Sequence, residues 1–252
     1  MKSLIRRTLA LGALSFSLLG ATLMAPSAAM ALTQEQVAEK LSNVPVFVLG
    51  NDSGLILISS AEAEGQAASP SLYVFMTEQD AETFLSRANE ANPEFAPDAQ
   101  IGLTNLEKLY QETQADDSLQ VIYVPEQDEA TQAAELETGY QGGVPLFFAR
   151  FEDGSLAPVQ QDNGETVFPM FFSRADLEGL LSELGERNPE ARAAISVGVL
   201  PLEAMLIEMQ TSEDESLNQI RLLPDSETIN SLQTQGAPAQ SAPAESTPAE
   251  GE

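Results

Sequence analysis

Apolar residues occupy both alternating faces of Val144-Pro145-Leu146-Phe147-Phe148-Ala149-Arg150. Val144, Leu146 and Phe148 share one face, and Phe147 and Ala149 the other. A strand with one wet face alternates apolar with polar, so this stretch predicts a strand covered on both sides. The same pattern starts at Val44-Pro45-Val46-Phe47, 100 residues earlier.

Around the earlier copy the pattern predicts a first helix over 33–41. Thr33 and Gln36 form a capping box there, with Val37, Ala38 and Leu41 as the stripe. Strands at 46–49, 55–58 and 72–76 follow, with a turn at Asn51-Asp52-Ser53-Gly54 and a polar loop over 61–70. Thr77 caps a helix carrying Ala81, Phe84, Leu85 and Ala88, which Asn92-Pro93 stops because the residue before proline avoids the helical region. A strand at 101–103, a helix presenting Leu106, Leu109 and Tyr110, a strand at 119–124 and a polar helix near 128–137 complete the first half. Gly139 to Gly143 is a linker.

The second half runs the same programme. Asp153-Gly154 matches the turn ending in Gly54 at an offset of 100. Asn163-Gly164 then supplies a tight hairpin where the first half has its longer loop, and the offset falls to 96. At that offset Phe171-Phe172 matches Phe75-Met76, Asn188-Pro189 matches Asn92-Pro93, and Leu202-Glu203 matches Leu106-Glu107. Turn, cap and core positions kept in step to this extent imply an internal duplication. The expected fold is α/β, two pseudo-symmetric β-β-β-α-β-α-β repeats packed together. The chain divides into a signal peptide over 1–31, a first repeat with its N-terminal helix over 32–138, a second repeat over 139–232, and a disordered acidic tail over 233–252.

The signal peptide rests on Lys2, Arg6 and Arg7 before an apolar run from Leu9 to Leu23. Ala29-Met30-Ala31 then places small residues where a signal peptidase reads them, so cleavage falls before Leu32. After Ala31, eight basic residues face 39 acidic ones, a net charge of −31 for the mature chain. That charge repels nucleic-acid phosphates and anionic headgroups, so no nucleic acid is expected as a partner. Nothing after residue 31 is apolar enough over about 18 residues to span a membrane.

Histidine, cysteine and tryptophan are all absent. Nucleophilic triads, histidine metal sites and thiol redox go with them, and no cofactor is implied. Carboxylate chemistry of the glycosidase kind remains as a remote reading, without a constellation to support it. Asp52, Asp153, Asp162-Asn163 and Asp116-Asp117 sit in turns, where such side chains bond to the backbone, and none shows the ligand spacing of a calcium loop.

The notable chemistry is apolar. Phe47, Phe75, Met76, Phe147, Phe148, Met170, Phe171, Phe172, Met205 and Met209 are the candidates for lining a groove that takes apolar segments of client proteins. Plain core packing is the competing reading of each. The second copy is richer in Phe, so if one half keeps an open apolar surface, it is expected to be this one.

The mature start Leu32-Thr33-Gln34-Glu35-Gln36-Val37, the paired Val44-Pro45-Val46-Phe47 and Gly143-Val144-Pro145-Leu146-Phe147 strands, Pro169-Met170-Phe171-Phe172, Leu200-Pro201-Leu202-Glu203 and Leu223-Pro224 together resemble the twenty-two-kilodalton Tic subunit family. The resemblance covers residues 32 to about 232. It implies a non-catalytic protein of protein transport. In plants that means a component of the chloroplast intermembrane space working beside the import translocons. In cyanobacteria it means an exported, chaperone-like factor linked to outer-membrane biogenesis. The bacterial-type signal peptide selects the cyanobacterial form. The expectation is thus a periplasmic chaperone-like factor, with the thylakoid lumen as the other compartment. Its partners would be protein clients or translocon and outer-membrane assembly proteins. A docking subunit of a translocon or assembly machine is the alternative.

Overall fold

The computed structural model describes residues 31–59, 70–92, 95, 98–115 and 119–236. Residues 1–30 of the expected signal peptide, positions 61–69 of the expected polar loop, Asp116-Asp117, and the expected tail beyond 236 lie outside them.

Helix α1 (Gln34–Leu41) opens with both arms of the capping box made: Thr33 Oγ1 accepts from Gln36 N, and the Gln36 side chain accepts from Thr33 N. Sheet A follows from β1 (Pro45–Asn51), β2 (Gly54–Leu55), β3 (Leu57–Ser59), β4 (Pro70–Phe75), β5 (Gln100–Asn105) and β6 (Gln120–Val124). Helices α2 (Glu78–Ala91), α3 (Leu106–Ala115) and α4 (Gln127–Leu136) interleave with its later strands. Strand β1 pairs antiparallel with β5 on one side and β4 on the other, and β6 runs parallel to β4. The expected strand at 55–58 is broken at Ile56: β2 pairs with the end of β1 and β3 with the start of β4. This fills the gap where β1 and β4 diverge.

Sheet B contains β7 (Pro145–Phe151), β8 (Val159–Gln160), β9 (Thr166–Phe171), β10 (Ile195–Pro201) and β11 (Ile220–Leu223). Its helices are α5 (Arg174–Arg187), α6 (Pro189–Ala193), α7 (Leu202–Thr211) and α8 (Ser226–Gly236). Strand order is β10-β7-β9-β11, with β11 parallel to β9. The Asn163-Gly164 hairpin joins β8 to β9, and Gly164 takes the positive φ of +82° that the turn needs. Helix α6 was not expected from the sequence; Asn188 ends α5 and at once caps α6 through Ala191 N. The fold is therefore mixed α/β, with two sheets and eight helices among the described residues.

Three apolar clusters explain why the strands are apolar on both faces. The central one joins Val46, Val48, Leu72 and Val74 of sheet A to Leu146 and Met170 of sheet B through α1, α3 and α7. On the outer face of sheet B, Phe147, Phe171 and Val199 pack with α5 and with Ala133 of α4. On the outer face of sheet A, Phe47, Leu49 and Phe75 pack with α2 and with Leu232 of α8.

The two connecting helices thus cross over. Helix α4 leaves sheet A and packs on sheet B, while α8 leaves sheet B and packs on sheet A. Dividing the sequence at 138/139 assigns α4 to the first repeat, but its buried Ala133 belongs to the second sheet's core. The fold also extends past 232, where the sequence reading begins the tail, because α8 continues to Gly236. Hydrogen bonds pin both crossings. Glu129 on α4 accepts from Arg174 N at 3.1 Å, and Asp176 on α5 accepts from Ser226 N at 2.9 Å and from its hydroxyl at 2.6 Å.

Candidate functional site

The ten apolar candidates are placed by these layers. Phe47, Phe75, Phe147, Met170, Phe171, Phe172, Met205 and Met209 are buried; Met76 and Phe148 are half-buried. Phe47 and Phe75 fill the outer core of sheet A, Phe147 and Phe171 that of sheet B, and Met170, Phe172, Met205 and Met209 the central core. These side chains are not gathered in one groove, and none of the eight buried ones is more than 7% exposed. Both faces of β7 are covered by the chain itself: α4 and α5 cover Phe147, and the central core covers Leu146.

Open apolar surface lies elsewhere, and mostly on the first half. Leu55, Leu57, Leu103 and Ile122 on sheet A are exposed, against Leu223 on sheet B and Ile207 on α7. Leu103 is the most informative. It sits on β5 directly across from Phe47, as Val199 sits on β10 across from Phe147. Yet Leu103 is 56% exposed and Val199 only 8%. The difference follows from the helices. Helix α4 covers the β10 side of sheet B and buries Ala133 there, whereas the described residues of α8 include none that is fully buried. The expectation of an open surface on the Phe-rich second half is thus reversed: extra rings accompany better cover.

Beside Leu103 a groove of about 530 Å³ runs between the β5–α3 corner and α8, lined by Pro45, Leu103, Thr104, Lys108, Gln111 and Ile229 among others. Sequence reasoning missed Leu103 because Ile101-Gly102-Leu103 reads as any buried strand. Only the incomplete cover that α8 gives this side of sheet A distinguishes it.

A second opening is acidic. Seven carboxylates from α2, α4, α8 and their approaches, Glu78 to Glu227, line a cleft of about 680 Å³. Glu126 also lines a cavity of about 20 Å³ with Glu129, Pro45 and Pro145, room for one water. Burial, then Glu129, Asp225, Asp80 and Asp128, push Glu126 up to about 7. Burial also raises Glu129 against its hydrogen bond from Arg174 N. Glu129 does not line the larger cleft, so the two raised carboxyls share only the water-sized space. That space lacks room for a sugar between these two carboxyls.

The turn residues weighed as cation ligands bond locally. Asp153 Oδ1 accepts from Ser155 N and its hydroxyl, and Asn163 Oδ1 from Glu165 N; beside Asp52, the residue weighed in the first turn, it is Asn51 Oδ1 that accepts from Ser53 N.

Residues 10–235 match the model of the Tic22-like family. The chain belongs to this family. Protein TIC 22, chloroplastic, of Pisum sativum is 29% identical over 195 residues, 76% of this chain and 73% of the pea protein. Protein TIC 22-like, chloroplastic, of Arabidopsis thaliana is 23% identical over 214 residues, 81% of this chain and 65% of that one. Among solved structures, Anabaena Tic22, a protein of protein transport, superposes with a TM-score of 0.67 at 26% identity, covering 82% of this chain and 99% of its own. Tic22 from Plasmodium falciparum gives 0.60 at 17% identity over 79% and 96% of the two chains, a likeness of fold. No helix among the described residues is long and apolar enough to cross a membrane.

Proposed function

We propose that this Tic22-like protein is a chaperone-like factor in protein transport. In this reading it is exported to the periplasm and holds apolar segments of translocating or outer-membrane proteins on the β5 side of sheet A. The observation that carries the reading is the unequal cover of matched positions, Leu103 open and Val199 closed. The Tic22 relatives, named for chloroplasts and for protein transport, support its setting. The acidic exterior supports it too, since like charges hold loaded complexes apart while the client occupies the apolar face. The same reading treats the halves as duplicated, pseudo-symmetric units. Phe47 pairs with Phe75 as Phe147 does with Phe171, and Leu106 N donates to Val44 O as Leu202 N does to Val144 O.

The test is aggregation of an urea-unfolded outer-membrane β-barrel protein diluted into buffer with the mature chain. Slower aggregation is expected, and Leu103→Glu removes the effect while the equivalent exposed change Ile207→Glu, on α7, preserves it. No protection by the parent chain, or equal loss in both variants, sinks the proposal. Crosslinking in cells addresses the docking alternative: one fixed stoichiometric partner instead of many transient clients would favour it.

A further inference from the structure

Helix α7 ends at Thr211 without a basic residue in its last turn, and the acidic Glu208 and Glu213 flank that end in sequence. The last carbonyls of a helix have no partner within it. Here Ser212 N donates to Glu208 O at 2.9 Å, and Leu32 N, from the opposite end of the chain, donates to Met209 O at 3.1 Å. Leu32 is only 8% exposed and belongs to the central core. The next residue, Thr33, is fixed by the capping box of α1. The Leu32 nitrogen is therefore held from both sides of its own residue.

We infer that the Ala31–Leu32 bond is a processing site, and that the α-ammonium freed there is a structural cation seated on the C-terminal end of α7. Hydrolysis by a signal peptidase adds water across the amide. The hydroxyl goes to the Ala31 carbonyl carbon, which leaves as a carboxylate, and the nitrogen stays on Leu32 as an amine that is mostly protonated at pH 7. An amide nitrogen offers one N–H at this position, while the ammonium offers three and a full positive charge. A helix C-terminus carries roughly half a negative charge, and α7 supplies no cation of its own to meet it. Small residues at Ala29 and Ala31 suit the peptidase. Burial of Leu32 also sets an order of events: the bond must be cut while the segment is extended, before Leu32 enters the core. This inference is independent of the apolar face proposed above.

Only two lysines, Lys40 and Lys108, follow Ala31, so amine labelling can be followed group by group. The full chain is expressed with export in a Gram-negative host, and intact mass gives its N-terminus. A start at Leu32 is expected, and a start at any other residue overturns the site. The purified protein is then acetylated with N-hydroxysuccinimidyl acetate at pH 7, folded and in urea, and read by peptide mass spectrometry. Protection of the α-amine in the folded state by about tenfold or more is expected for a charged group held by a hydrogen bond and a helix end, with exposed Lys108 as the unprotected reference. An α-amine labelled as fast folded as unfolded overturns the seat.

Discussion

Gly198 lies directly across from Phe148 between β10 and β7, and the Phe148 ring fills the space a side chain at 198 would need. A Cβ there would stand 2.6 Å from Phe148 Cε2. In sheet A, Gly102 faces Val48 in the same register, and the nearest Val48 atom would be an ordinary 3.7 Å away. The larger ring of the second half is accommodated by its glycine. Gly198→Ala should cost about 1–3 kcal/mol as overpacking, and Gly102→Ala less than about 1 kcal/mol. Urea unfolding of the two variants checks this; equal effects would mean that the ring turns aside freely.

Neighbouring rings on β7 should differ in worth. Phe147 is fully buried beneath α4 and α5, whereas Phe148 is half-buried at the central core. Phe147→Ala should destabilise by about 3–5 kcal/mol, and Phe148→Ala by clearly less. Chemical denaturation with the two variants side by side decides the ranking.

Acidity around Glu126 gives a pH dependence with a definite sign. Its carboxyl titrates near 7 in the folded chain because burial and the surrounding Glu129, Asp225, Asp80 and Asp128 disfavour the charged form. Between about pH 4.5 and 7 the folded chain retains a proton that the unfolded chain has released, so this group's contribution to stability falls as pH rises. Glu126→Gln should raise the urea midpoint at pH 8 and lose that advantage at pH 4. A gain of equal size at both values would count against the electrostatic cause.

Removing α8 should uncover sheet A. Its Leu232 packs among Phe47, Leu49 and Phe75 on the outer face. A chain stopped after Asp225 should bind more anilinonaphthalene sulfonate and unfold at lower urea. Leu232→Ala alone should cost about 1–2 kcal/mol, since the side chain is only half-buried. Unchanged dye binding on truncation would show that the outer core holds without the helix.

Much of the fold was legible because it is written in local chemistry. The Thr33–Gln36 box, the Thr77 and Ser173 caps and the Asn163-Gly164 hairpin each settle their geometry within a few residues. Helix α8 was less legible: its half-buried Ile229 and Leu232 stand in a polar stretch that merges with the tail. The candidate site was read least well. Phe and Met mark apolar positions without stating whether the chain itself supplies their cover, and here it does for most of them.

The sequence by itself determined the two-faced apolar strands, their repetition at offsets of 100 and 96, and a formal net charge of −28 at pH 7. These depend on side-chain type and spacing, which need no knowledge of distant neighbours. The tertiary structure alone decided that α4 and α8 change sheets, that Leu103 is open where Val199 is closed, and that Leu32 reaches the end of α7. Burial is a property of what packs on a residue from elsewhere in the chain, and a helix leaving a strand can cover either sheet with the same sequence.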